Sequence, residues 1–426
     1  MDEKKEPIIY LSRYLQINTT NPPGNEEKAA EFLESILKKE EIQAKRHYQA
    51  QSRPNLIAKI KGTGEKKPMM LLNHMDVVEA DYDNAFSGEI KDGYIHGRGA
   101  LDMKGFGIMQ LMTMLMVKRN NLKLKRDLIF LAVSDEEAGG YHGMEYMVKN
   151  HFDEIDSEYA LCEGSFGTKG IIGNDTTYSC AIADKAPLWI KLTSKGQQGH
   201  GSMPIKDSAI NKMIQALEKI RCYEPEIRFT EESKEFFKKL GSIQKFPKST
   251  ILKNVHKKPY LTLAKKQLTS EKTLNAMLRE TISITSLKAG SKENVIPENC
   301  EATLDCRLLP GKKPSEFVEL LKEIVKNERI NFEIIKGEES VSSKTDTELY
   351  KVLESVLKKP LIPMISPAMT DLRFLRKKGI TSYGLIPIVL TKKDLETIHG
   401  KNEKISIKNL LEGTEKTYEI IKKICT

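Results

Sequence analysis

The stretch LIFLAVSDEEAGG, Leu128 to Gly140, runs six apolar residues into a serine, three consecutive acids and two glycines. Six apolar residues without alternation read as a strand buried on both faces, the condition of a strand inside a parallel α/β sheet. Three adjacent carboxylates repel one another, and desolvating them is costly unless a cation sits nearby. The stretch therefore predicts an α/β fold and, at the carboxyl end of a buried strand, a place where ligands gather.

Working outward, NLIAKI (Asn55 to Ile60), MMLLN (Met69 to Asn73) and YALC (Tyr159 to Cys162) are further short apolar runs bounded by Gly, Pro or charge. Helical patterns fill Glu26 to Glu40, Phe106 to Lys118 and Gly143 to Phe152. Strands alternating with helices predict a mostly parallel sheet. The character changes near Lys185: APLWIKLTSKG opens a second alternating region that closes on ENCEATLDCRLLPG, Glu298 to Gly311, before helix and strand patterns return. The middle reads as an insertion into the first domain.

Bulk properties exclude several classes. Lys and Arg number 68 against 59 Asp and Glu, and the resulting +9 is dispersed through alternating Lys/Glu runs. That is a solvated surface, not a nucleic-acid footprint. Six scattered cysteines without a C-x-x-C pair predict reduced thiols and a cytoplasmic setting. No apolar signal region follows the N-terminal charges. The longest apolar segment, FGIMQLMTMLMV (Phe106 to Val117), contains Gln110 and is too short to span a membrane, so no membrane partner is expected. A serine-hydrolase elbow G-x-S-x-G is absent, and KGTGEKKP lacks the spacing of a phosphate-binding loop.

Polar donors cluster at the strand ends. LLNHMD puts His74 and Asp76 two residues apart, on one face of an extended chain. Asp102 sits in the glycine-flanked GRGALDMKG, Glu136 and Glu137 in SDEE, Glu163 in YALCEGS, and His399 in IHGKNEKIS ahead of the last helix. Each alone has a bland explanation, as a satisfied histidine, a helix cap or a solvated turn acid. Their recurrence after four apolar strands is not something capping requires.

These motifs carry a resemblance. LLNHMDVV, GRGALDMKG, SDEEAGG, GHGSMP, NVIPENCEATLDCRLLPG and HGKNE resemble, in order, six signature stretches of the M20 metallopeptidases, the family of aminoacylase, carboxypeptidase G, acetylornithine deacetylase and succinyl-diaminopimelate desuccinylase. The resemblance implies a di-metal catalytic domain over residues 1–185 and 314–426 and a smaller α/β lid and dimerisation domain over 186–313. It implies one ion on His74, Asp102 and Glu163 and a second on Asp102, Glu137 and His399, with zinc first and cobalt or manganese also suited to the donors. Three ligand carboxylates and a bridging hydroxide would balance two divalent charges. The catalytic set would be Glu136 as general base, Asp76 orienting the ligands, and the lid residue His200 stabilising an oxyanion, in the family often across a dimer. Asn294 and Arg307 would hold a substrate carboxylate, with Thr370, Asp371 and Arg373 close to the substrate. Asp135 reads either as a turn residue or as an acid supporting the ligands.

The expected activity is metal-dependent hydrolysis of an amide bond next to a free carboxylate, in a peptide C-terminus or an N-acyl amino acid, by a cytoplasmic homodimer. The competing expectation is a catalytically silent, metal-stabilised binding protein on the same fold. An intact Glu136 argues against that alternative, because a pure binder needs no base beside its metals.

Overall fold

The computed structural model describes residues 5–169 and 176–426. The labelled strands are β1 (Ala44–Ala50), β2 (Arg53–Ile60), β3 (Met69–His74), β4 (Leu128–Val133), β5 (Tyr159–Lys169), β6 (Thr176–Asp184), β7 (Ala186–Lys195), β8 (Thr281–Ala289), β9 (Asn299–Leu308), β10 (Ile330–Gly337), β11 (Leu361–Ser366) and β12 (Thr381–Leu390). The chain divides into two units, Met1–Ile182 with Ser343–Pro363 and Thr370–Thr426, and Ala183–Ser342 with Met364–Met369.

The first unit is built on an eight-stranded sheet in the order β1-β2-β4-β3-β5-β12-β6-β11. Its middle strands β4, β3, β5 and β12 run parallel, and β1 and β2 pair antiparallel at one edge. Every residue of β3 and β4 is buried, as unbroken apolar runs demand. The helix Lys104–Arg119 is buried around almost its whole circumference. Its one amide in the apolar segment, Gln110, accepts from Asn73 Nδ2 at 2.9 Å and donates to the Leu72 carbonyl at 3.0 Å. A buried polar side chain is tolerated because it is paired, and this pairing fixes the helix against the strand end that carries His74.

The second unit carries a four-stranded antiparallel sheet, β8-β9-β7-β10. The helices Ala209–Cys222 and Pro314–Val325 join its core through Met213, Leu217, Phe317 and Leu321, which pack with Leu188, Ile190 and Leu304. Residues after Lys313 stay with this sheet as far as Ser342 because β10 pairs with β7 along Ile330–Gly337. The unit therefore runs past the boundary expected from the Pro-Gly stop at Gly311. The Lys-rich stretch ahead of β8 forms the helices Glu231–Ser242, Lys248–Lys253, Lys258–Ser270 and Lys272–Met277. Among the described residues no helix is long and apolar enough to cross a membrane.

Candidate metal centre

The sequence brings its donors together by ending several strands and loops of the first unit at one place. His74 closes β3, Glu163 lies on β5, Asp102 stands one residue before the cap Met103 of the helix Lys104–Arg119, and the turn after β4 supplies Glu136 and Glu137. That turn is held from several sides. Asp135 adopts a left-handed backbone with φ 71°, and Gly140, at φ 74°, lies so close to Asp371 that a Cβ would stand 2.6 Å from Oδ1. The second glycine of the opening motif is thus required by both conformation and space.

Two donor groups form, sharing one residue. His74, Asp102 and Glu163 make one and Asp102, Glu137 and His399 the other, each with its donor atoms within 4.8 Å of one another. His74 Nε2 stands 3.2 Å from Asp102 Oδ1 and 3.3 Å from Glu163 Oε1. On the other side His399 Nε2 stands 2.9 Å from Asp102 Oδ2 and 3.7 Å from Glu137 Oε1. Two donors each about 2.1 Å from a tetrahedral ion are about 3.4 Å apart, so these separations fit one ion per group. Glu137 Oε1 is buried and, among the described residues, has no hydrogen-bond partner, His399 Nε2 standing beyond hydrogen-bond reach at 3.7 Å.

Electrostatics point the same way. Burial, reinforced by the charge of Asp102, pushes Glu163 up to about 8 and raises Glu137 as well. Glu136 is raised well above the carboxylate range, first by burial. The hydrogen bond to Asp102, with the Glu137 carboxylate beside it, lifts His399 to about 10. For His74, burial opposes the charged ring, yet Glu163, Asp102 and Asp76 outweigh it and raise the pKa. Glu137, Glu163, His74 and His399 are all raised while the shared Asp102 is lowered, the pattern of carboxylates crowded beside too little positive charge, which divalent ions on these donors would supply.

A supporting layer surrounds the donors. Asp76 is fully buried; its backbone carbonyl lies 3.0 Å from His74 Nδ1, while its carboxylate accepts from Asn21 Nδ2 at 2.8 Å and from the Glu136 and Glu137 N–H groups at 3.2 and 3.1 Å. Burial works to raise its pKa, but His74, Asn21 and the Glu137 N–H hold it below the usual range. Asp76 therefore orients a histidine and the glutamate turn together. Asp135 accepts from the His142 N–H at 3.0 Å within its own turn, and also from Asn21 at 3.2 Å, the residue that holds Asp76, and pairs with Arg53 at 3.0 Å. Arg373 is buried and donates to the Thr370 and Gly139 carbonyls at 2.9 and 2.6 Å, so much of its fork is committed to the protein. Thr370 is buried beside it, and the Asp371 carboxylate, pushed up to about 7 by burial, has no hydrogen-bond partner among the described residues.

Glu403, like Asn21, escaped sequence reasoning. Glu403 is fully buried and accepts from Arg98 at 2.7 Å and from the N–H groups of Gly99, Leu101 and Asp102 at 3.1, 2.8 and 3.1 Å. It locks the loop that presents Asp102 to the segment that presents His399. Its signal lay in the quoted HGKNE motif, where only the histidine was given a task.

The remaining expected residues lie in the second unit. His200 is exposed, with Nδ1 2.7 Å from Ser202 Oγ, and the Gly201 N–H donates to the Asn294 carbonyl at 2.8 Å, which sets His200 and Asn294 on neighbouring loops. Arg307 on β9 is partly buried and forms a fork with Asp305 at 2.8 and 3.0 Å.

A mostly parallel sheet whose strand ends carry two histidine and carboxylate groups joined by one aspartate defines a metal-dependent hydrolase. The chain belongs to peptidase family M20/M25/M40, whose profile matches residues 70–423. It is 30% identical over 356 residues to the N-fatty-acyl-amino acid synthase/hydrolase PM20D1 of Xenopus tropicalis, covering 80% of this chain and 69% of that protein. In fold it is similar to the M20 family metallo-carboxypeptidase Sso-CP2 of Sulfolobus solfataricus, with a TM-score of 0.73, 20% identity and 99% of both chains covered. A second similar fold is Bacillus subtilis YXEP, described as a dinuclear metal binding peptidase from the M20 family, with a TM-score of 0.61, 13% identity, and 98% of this chain and 97% of that one covered.

Proposed function

We propose that the protein hydrolyses an amide bond adjacent to a free carboxylate, in a C-terminal peptide bond or an N-acyl amino acid, using two divalent ions, zinc first. The observation that carries this reading is the geometry of Asp102, whose two oxygens face a different histidine each. His74, Asp102 and Glu163 would hold one ion, and Asp102, Glu137 and His399 the other. Two ions held by these residues would supply Lewis-acid polarisation of the scissile carbonyl and lower the pKa of water toward neutrality.

The protein's own groups do the rest. Glu136 is half-buried, and the raised pKa that desolvation gives it makes its carboxylate a stronger base than an ordinary one; ionised, it would take a proton from the attacking water and, as the acid so formed, deliver that proton to the leaving nitrogen. Asp76 positions His74 and the glutamate turn. Arg307 is assigned the substrate carboxylate, which would exchange for Asp305 on the guanidinium fork. Asn294 is assigned the same carboxylate, and His200 the developing oxyanion, supplied by a partner chain in a cytoplasmic homodimer.

Support for the two substrate classes comes from the family, whose members here include a metallo-carboxypeptidase and an N-fatty-acyl-amino acid hydrolase. The test is a mixed panel of dipeptides and N-acyl amino acids incubated with added divalent metal and scored by released amine. Release from one class, abolished by Glu136→Gln, is the expected result; no release from any member contradicts the reading.

A further inference from the structure

His47, His151 and Glu154 form a third cluster in the first unit, built from segments that the metal centre does not use. His47 lies on the edge strand β1, His151 follows the helix Met144–Asn150, and Glu154 belongs to the short helix Phe152–Ile155. Glu154 Oε1 is 3.1 Å from His47 Nε2 and 3.6 Å from His151 Nδ1, and one donor atom from each of the three lies within 4.8 Å of the others. The two carboxylate–imidazole separations straddle the roughly 3.4 Å expected of neighbouring donors on one tetrahedral ion.

Two details set this apart from a surface ion pair. His47 is 7% exposed, and among the described residues its buried Nε2 makes no well-aligned hydrogen bond, the Glu154 carboxylate oxygen standing 3.1 Å away. His151 has its other nitrogen, Nε2, 3.1 Å from Tyr146 Oη. Donation from Nε2–H to Tyr146 leaves the Nδ1 lone pair facing Glu154, the outer hydrogen bond that orients a ligating histidine. The rings themselves lie against each other, with centroids 3.7 Å apart. Lys45 Nζ also sits 3.1 Å from Glu154 Oε1, on a side chain that is 62% exposed. Its ammonium balances the carboxylate without an ion, and its exposed stem lets it withdraw.

We propose that His47, His151 and Glu154 bind a divalent transition-metal ion of the zinc class, with solvent completing the coordination. Two imidazoles and one carboxylate suit zinc and disfavour the hard, all-oxygen cations calcium and magnesium. The ion would join the edge strand β1 to the helical corner that follows the Glu136–Glu137 turn. This assignment is independent of the proposed activity.

The test uses zinc chloride alone as probe. The full chain is stripped with a chelator, saturated with zinc, desalted and analysed for bound zinc by mass spectrometry. Against a His74→Ala background, which removes a donor from the centre described above, adding Glu154→Gln or His47→Ala should lower the bound zinc by one ion per chain with an unchanged circular dichroism spectrum. Zinc should also raise the melting temperature of His74→Ala more than that of either double variant. Glu154 is partly exposed, so Glu154→Gln decides the matter if His47→Ala does not fold. Equal zinc content in His74→Ala and in His74→Ala with Glu154→Gln overturns the proposal.

Discussion

Asp102 and His399 meet at 2.9 Å, Oδ2 to Nε2, across 297 residues of sequence, while the other oxygen of Asp102 faces His74. One carboxylate is therefore common to both donor groups, and its removal should not be a local event. Asp102→Ala is expected to lower bound metal in both groups, whereas His399→Ala is expected to lower one. Metal content per chain after desalting checks this; equal losses in the two variants would show that Asp102 serves a single site.

Glu403 gives a second expectation. Its carboxylate accepts from Arg98 and three backbone N–H groups, and it is fully buried. Glu403→Gln leaves the Arg98 charge without its partner, a loss of about 3 kcal/mol in stability for a broken buried pair. It also frees the loop carrying Asp102, so metal affinity should fall by about 10- to 100-fold, the scale of losing a group that orients a ligand. Thermal melting and a metal titration read the two effects separately. A variant that melts like the parent and binds metal equally well would remove Glu403 from the site.

Lys185 makes a pH prediction for the second unit. Burial pushes its pKa down from 10.5 to about 7, and its ammonium donates to the Arg279 carbonyl at 2.7 Å and to Thr281 Oγ1 at 3.1 Å. Below pH 7 both folded and unfolded chains carry this proton; between about 7 and 10.5 the unfolded chain binds more of it. Stability contributed by this group therefore rises with pH across that window. Trp189, the single tryptophan, lies on β7 in the same unit and reports its unfolding. The denaturant midpoint seen by Trp189 fluorescence should rise more between pH 7 and pH 9 in the parent than in Lys185→Met. Parallel pH profiles would contradict the assignment.

Arg307 predicts preference for a free carboxylate. Amidating the terminal carboxylate of a good substrate removes the charge that would displace Asp305 from the guanidinium fork and should reduce kcat/KM by about 100-fold or more, the scale of losing a charge-assisted pair. Comparing the free and amidated forms of one substrate measures this. Equal rates would remove Arg307 from substrate recognition.

The donors were legible because each sits where a chain-local pattern changes: His74 ends the apolar run of β3, and Glu136 and Glu137 follow the apolar run of β4. The parallel centre of the sheet was legible for the same reason, since unbroken apolar runs have no solvent face. What stayed hidden depends on long-range pairing. Glu403 takes its meaning from N–H groups about 300 residues away, and Asn21 from Asp76 and Asp135. The second unit reaches Ser342 because β10 pairs with a strand about 140 residues earlier, and no turn signal at Gly311 reveals that. Arg373 shows the converse: its motif drew attention toward substrate, while its geometry commits two nitrogens to backbone carbonyls.

The central claim is that the two adjacent glutamates divide the labour, Glu137 holding an ion and Glu136 moving the proton. Metal content and turnover measured together on Glu136→Gln and Glu137→Ala test it most directly. The account predicts that Glu136→Gln keeps both ions and loses turnover by about 100-fold or more, the scale of losing a general base, while Glu137→Ala loses one ion and activity with it. If Glu136→Gln lost metal and Glu137→Ala retained both ions, the roles would be reversed and the proposed chemistry would not stand.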